Sequence, residues 1–113
     1  MKAVPAVVAA AAAVLALAAC GGDGDAAPPD PEVLEEGRAL FTGDAGCAGC
    51  HTLADAGAQG NVGPSLDVVQ PDADDVAQRV RVGVPTLMPA YQGVLADAEI
   101  EAIAAYVAEV AGS

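Results

Sequence analysis

Hydrophobic and polar positions divide the 113-residue chain into three stretches: an apolar beginning, a polar run rich in breakers, and a mixed remainder. After Lys2 the residues are apolar without a break from Ala3 to Ala19, and Leu17-Ala18-Ala19 leads into Cys20. A charged start, an apolar middle and small residues before the break predict a secretory signal peptide over residues 1–19, outside the fold. Residues 21–31, GGDGDAAPPDP, have nothing to bury. They reach at most ~35 Å at ~3.1–3.3 Å per residue, and with Cys20 they predict a flexible linker over 20–31.

From Glu32 onward the pattern becomes helical. Asp30-Pro31-Glu32 supplies an N-cap acid, a proline at the first helical position and an acid in the first turn. Val33, Gly37, Leu40 and Phe41 then share one face until Gly43 interrupts. A second helix begins at Asp72, with Asp74 and Asp75 at the positive end of its dipole. Its apolar stripe is Val76, Ala77, Val80 and Val84, and Gly83 with Pro85 stops it. The last helix starts near Asp97 and presents Ile100, Ile103, Ala104, Val107 and Ala111. No stretch alternates as a strand, so residues 32–113 are expected to form one all-α domain.

Between His51 and Pro71 lies TLADAGAQGNVGPSLDVVQ, with Gly57, Gly60, Gly63 and Pro64 in its middle. A long structureless loop is foreign to a compact helical domain, unless the loop wraps a bound object. Composition points the same way. Eighty-odd residues are few for a self-sufficient core, and Phe41, Tyr91 and Tyr106 are the chain's only aromatic residues. Something other than side chains is expected to fill the centre.

Charge narrows the partners. All sixteen acids lie from Asp23 onward, and removal of the signal with Lys2 leaves three arginines, a formal charge of −13. Nucleic acid is excluded as a partner on that ground.

The chemistry concentrates in GCAGCH, residues 46–51, which holds two of the three cysteines and the only histidine. Structural zinc and iron–sulfur clusters want four ligands, where the domain offers Cys47, Cys50 and His51. A redox Cys-x-x-Cys wants a βαβ setting, which is missing. Covalent haem attachment uses these residues in this order: two cysteine sulfurs form thioethers, and the adjacent imidazole ligates the iron. Export of the chain agrees with that chemistry. A chance motif holding a disulfide is the remaining alternative.

Here the sequence resembles the class I monohaem c-type cytochromes. The resemblance runs from Glu32 to Val110, through Gly37-x-x-x-Phe41, Cys47-Ala-Gly-Cys50-His51, Asn61-Val-Gly-Pro64-Ser-Leu66, Arg81-x-Gly83, Met88-Pro89-Ala-Tyr91 and Leu95-x-Asp97-x-Glu99-Ile100…Ile103-x-x-Tyr106. It implies a small cytochrome c fold, three to five helices around one covalently attached haem c. Cys47 and Cys50 are then the thioether residues, with His51 and Met88 as axial iron ligands. Elimination also favours Met88, because Met1 leaves with the signal and no second histidine exists. The resemblance gives the Pro64 carbonyl the second N–H of the ligating histidine, against the plainer reading of a turn proline. Gly37 and Phe41 are expected to meet Ile103 and Tyr106 where the first and last helices cross. Two features depart from the family. Ala96 stands where a capping serine is common, and no tryptophan is available for a haem propionate; Arg79, Arg81 and Tyr91 are the candidates in its place, with plain solvated surface arginines the equal alternative.

The Leu-Ala-Ala-Cys ending resembles a bacterial lipobox, which implies lipidation of Cys20; ordinary secretion and an uncleaved anchor are the competing readings. The expected protein is therefore a monomeric, non-enzymatic electron carrier. It is extracytoplasmic, lipid-anchored to the bacterial membrane, and meets a redox protein or membrane complex with a basic docking surface. A fixed subunit of a larger oxidase or dehydrogenase is the first alternative. A haem peroxidase or gas-binding protein is the second.

Overall fold

The Asp30 carboxylate accepts the Glu32 N–H at 2.9 Å, and Pro31 takes the first helical position. Helix α1 therefore runs Pro31–Thr42 in this computed structural model, which describes Ala3 and residues 28–113. Apart from Ala3, the expected signal peptide lies outside the described residues, as do Cys20 and most of the expected linker. Among those described, no helix is long and apolar enough to cross a membrane.

Among the described residues four α-helices follow one another: α1, α2 (Leu66–Val69), α3 (Ala73–Val82) and α4 (Asp97–Val110). At the start of α3 the Asp72 carboxylate accepts the Asp75 N–H at 2.8 Å, and Gly83 ends the helix with φ +64°. Helix α4 buries Ile100, Ala102, Ile103, Ala104, Tyr106 and Val107, making it the central element of the core. Ala96 is its N-cap and offers no side-chain acceptor, as the sequence implied; the Glu99 carboxylate instead accepts the Ala96 N–H at 2.9 Å.

Helices α1 and α4 cross at Gly37. A Cβ there would stand 2.1 Å from the Ala102 carbonyl oxygen and 2.6 Å from the Tyr106 Cβ, so only glycine allows this approach. One turn on, Phe41 meets Tyr106 edge to face, with centroids 6.1 Å apart and planes at 62°. The expected crossing is present, with Ala102 rather than Ile103 nearest the glycine. Val33, expected on the buried face, is exposed, and Leu34 packs against the core in its place. Crossing helices diverge from their point of closest approach, so a stripe read from spacing alone runs past the contact. Val84 likewise falls beyond α3.

The segment from His51 to Pro71 is not structureless. Strand β1 (Thr52–Leu53) pairs antiparallel with β2 (Ala58–Gln59) around a tight 3₁₀ turn at Ala54–Ala56, and α2 follows. Leu53 and Ala58 are buried, which fixes the hairpin against the helices. Asp67 of α2 locks the arrangement. One carboxylate oxygen accepts the Ala54 N–H and the other the Gly112 N–H, each at 2.8 Å, joining the hairpin turn to the last residues of the chain. Those two bonds hold the carboxyl below its ordinary range. The domain is all-α apart from this two-residue ladder.

Candidate haem-binding site

The attachment motif sits where α1 hands over to the hairpin. Gly46, with φ +70°, turns the chain into a 3₁₀ turn at Cys47–Gly49, and the His51 N–H closes back on the Cys47 carbonyl at 3.0 Å. That one turn brings Cys47, Cys50 and His51 onto the wall of a single cleft of about 820 Å³. Phe41, Val80, Ile103 and Val107 form part of the remaining wall, so the cleft is largely apolar and reaches the helical core. A volume of this order is typical of small-molecule and cofactor sites.

His51 is held in one tautomer. Its Nδ1 lies 2.7 Å from the Pro64 carbonyl oxygen, which can only accept, so Nδ1 carries the proton and Nε2 keeps a lone pair for a metal. The loop bearing Pro64 comes this close because it lacks side chains where it touches the motif. A Cβ on Gly63 would lie 2.6 Å from the His51 Cε1, and one on Gly60 would lie 2.5 Å from the Cys50 carbonyl carbon. The Gly63 N–H donates to the Cys50 carbonyl at 2.7 Å, and the Thr52 hydroxyl to the Gly60 carbonyl at 2.8 Å. The glycines were visible in the sequence, but their purpose depends on a packing that no spacing rule gives.

Met88 reaches the same cleft from the other end of α3. Its backbone pairs with Val84 in both directions at 2.9 Å, closing a tight loop over Pro85-Thr86-Leu87. Gly83 makes room for that closure, since a Cβ there would be 2.5 Å from the Met88 carbonyl oxygen. Thr86 occupies the turn with φ +63°, a left-handed conformation that costs a β-branched residue of order 1–3 kcal/mol.

The residues present fit a covalently bound haem. Burial pushes the Cys47 thiol up to about 11, so the apolar wall favours an uncharged sulfur at this position. A thioether has no charge to desolvate. Among the described residues no cluster of three histidine, cysteine or carboxylate side chains is placed to hold a metal ion alone. Of the three candidates for the propionates, Arg81 is paired with Glu101 at 2.5 Å and Asp97 at 3.9 Å and is not part of the cleft. The Tyr91 hydroxyl donates to the Ala45 carbonyl. Arg79 lines the cleft and makes no ion pair among the described residues.

The electrostatics of the cleft differ from those of the whole chain. Only Asp75 and Arg79 among its lining residues are charged, whereas Val62 and Leu87, each 73% exposed, line it from the surface. The surplus of acid lies elsewhere, on α1, at the start of α3 and along α4.

A cysteine pair, an adjacent histidine and a methionine around one apolar cleft in a four-helix domain define a c-type cytochrome. Residues 32–107 match the family described as "Cytochrome C oxidase, cbb3-type, subunit III", and the chain belongs to that family of c-type cytochrome domains. The chain is also similar to the c-type cytochrome SorU from Sinorhizobium meliloti, at 48% sequence identity. That crystal structure superposes with a TM-score of 0.69, over 74% of this chain and 95% of the other. No curated protein matches the chain. The protein is thus a monohaem c-type cytochrome that carries haem c covalently at a Cys-x-x-Cys-His motif.

Proposed function

We propose that the protein is an electron carrier whose haem is held by thioethers at Cys47 and Cys50 and by axial bonds from His51 and Met88. One observation carries this reading: the fixed-tautomer imidazole and the methionine line the same apolar cleft. Bound there, the haem supplies one-electron exchange between ferrous and ferric iron. The chain's own groups hold it still and dry. Pro64 orients His51, the Val84–Met88 pairing presents the thioether, and Arg79 is placed to meet a propionate. A rigid site needs little rearrangement per electron, and a thioether ligand favours the ferrous state and a relatively high potential. Optical redox titration of the purified protein, following the far-red methionine–ferric band, tests attachment, ligation and potential together. A ferric protein without that band would sink the His/Met assignment. With both axial positions taken, substrate has no open iron site, which argues against a peroxidase or gas-binding role. Membership of a family described as an oxidase subunit favours, as a second reading, a fixed subunit of a larger complex. Co-purification with a membrane complex through detergent extraction would support it.

The carrier is proposed to work outside the cytoplasm, tethered through lipid on Cys20. The sequence Leu-Ala-Ala-Cys supports this, together with a breaker-rich linker before α1. Cys20→Ser is expected to leave the haem spectrum unchanged and move the protein from the membrane to the soluble fraction. A variant that stays bound like an integral protein would favour an uncleaved anchor instead.

Its redox partner is proposed to carry a basic rim around an apolar contact. The acids of the body supply the long-range field, while the mouth of the cleft, where Asp75 and Arg79 are the only charged lining residues, supplies close contact with little charge to desolvate. The reaction with a basic redox protein should therefore be fast at low salt. It should slow as the Debye length falls from ~30 Å at 0.01 M to ~8 Å at 0.15 M. An acidic partner of similar potential should show the reverse trend. Rates indifferent to salt with both would leave the acidity as a matter of solubility.

A further inference from the structure

Tyr91 lies three residues beyond Met88 and lines the cleft with it. The arm that carries both, residues 83–95, is moored to α3. The Tyr91 N–H donates to the Val80 carbonyl at 2.9 Å, the Gln92 N–H to the Arg81 carbonyl at 3.2 Å, and Arg79 reaches the Gly83 carbonyl at 3.4 Å. The Val84–Met88 pairing closes the arm only on itself. None of these bonds relates Met88 to the segment holding His51.

Among the described residues a single hydrogen bond does so. The Tyr91 hydroxyl donates to the carbonyl of Ala45, 46 residues away in sequence. Ala45 is buried, its own N–H is fixed to the Leu40 carbonyl at 3.1 Å, and it stands two residues before Cys47. The acceptor is therefore part of the rigid start of the attachment turn, and the donor is part of the methionine arm.

We infer that the Tyr91 hydroxyl is a positioning group that ties the Met88 arm to the attachment segment and holds the methionine in place against competing ligands. The inference rests on the reading of Met88 as an axial ligand. The arm has reason to open, because its turn holds Thr86 in a strained left-handed conformation and its tip, Leu87, is exposed. Without the hydroxyl, the arm is placed by its bonds to α3 and by packing alone. Tyr91 touches no reacting atom in this role and acts through Met88.

The test compares three holoproteins: wild type, Tyr91→Phe and Tyr106→Phe. The last loses a different hydroxyl bond, the one Tyr106 donates to the Asp55 carboxylate at 2.6 Å, on the side of the molecule where α1 crosses α4. Each ferric protein is titrated with imidazole while the far-red methionine–ferric band is followed, and its melting temperature is measured. An added ligand reads the fraction of molecules in which Met88 is displaced. Tyr91→Phe is expected to keep its covalent haem and bind imidazole about three- to tenfold more tightly, the equilibrium equivalent of one net hydrogen bond. Tyr106→Phe is expected to melt lower with its imidazole affinity unchanged. Equal affinity in wild type and Tyr91→Phe overturns the inference, as does an equal rise in Tyr106→Phe, which would mean general loosening. A wild-type protein without the far-red band removes Met88 as a ligand, and the positioning role with it.

Discussion

Met88→Ala is expected to keep its covalent haem, lose the far-red methionine–ferric band, gain affinity for carbon monoxide and fall in reduction potential. Attachment and ligation separate because they use different parts of the chain. The thiols of Cys47 and Cys50 sit on the 3₁₀ turn after α1, whereas Met88 hangs on the arm after α3. No substitute ligand is at hand, since His51 is the only histidine and the only other methionine is Met1. Losing a soft thioether removes a preference for ferrous iron, and water in its place favours ferric. The fall in potential should exceed ~59 mV, the value of a tenfold change in a one-electron equilibrium. Spectra and potential unchanged from wild type would take Met88 out of the site.

Gly37→Ala is expected to be strongly destabilising, although the position lies outside the cleft. The new Cβ would sit 2.1 Å from a backbone oxygen and 2.6 Å from the Cβ of Tyr106, and neither can rotate away. Helices α1 and α4 must part, which also loosens the Phe41–Tyr106 contact. Alanine gains ~1 kcal/mol over glycine within a helix, but overpacking outweighs it, and a net loss of about 2 kcal/mol is expected. Phe41 lines the cleft as well, so haem incorporation should fall with stability. A melting temperature within experimental error of wild type would mean that the helices do not cross at this residue.

The three longer helices were legible because each announces itself locally. Asp30 and Asp72 cap their own helices, Gly43 and Gly83 stop α1 and α3, and the buried residues of α4 recur at helical spacing. The residues of the cleft were legible for a different reason: Cys-x-x-Cys-His has few chemical uses, and one methionine remained. What stayed hidden depends on distance in sequence. The hairpin has two residues on each strand, too few for alternation to register, and its stability comes from burying Leu53 and Ala58. Asp67 looks like a helix-turn acid but bonds to groups 13 and 45 residues away. By sequence Tyr91 is a candidate for a propionate, and only the fold reveals that its hydroxyl is committed to Ala45. The salt bridge of Arg81 to Glu101 also forms across two helices, which removes a cation that spacing alone would have left near the site.

Helix α1 has one more consequence, for how the domain would bear a pull. Its last turn carries Phe41 into the cleft, while its first residue, Pro31, is where the N-terminal segment joins. At ~1.5 Å per residue the two lie roughly 15 Å apart along the helix axis. Any leash on that side tugs on a capped helix end rather than on the loops that present His51 and Met88. On the tether proposed above, the domain would swivel about this end of α1, turning the open side of the cleft toward one reaction partner and then another, without strain reaching His51 and Met88.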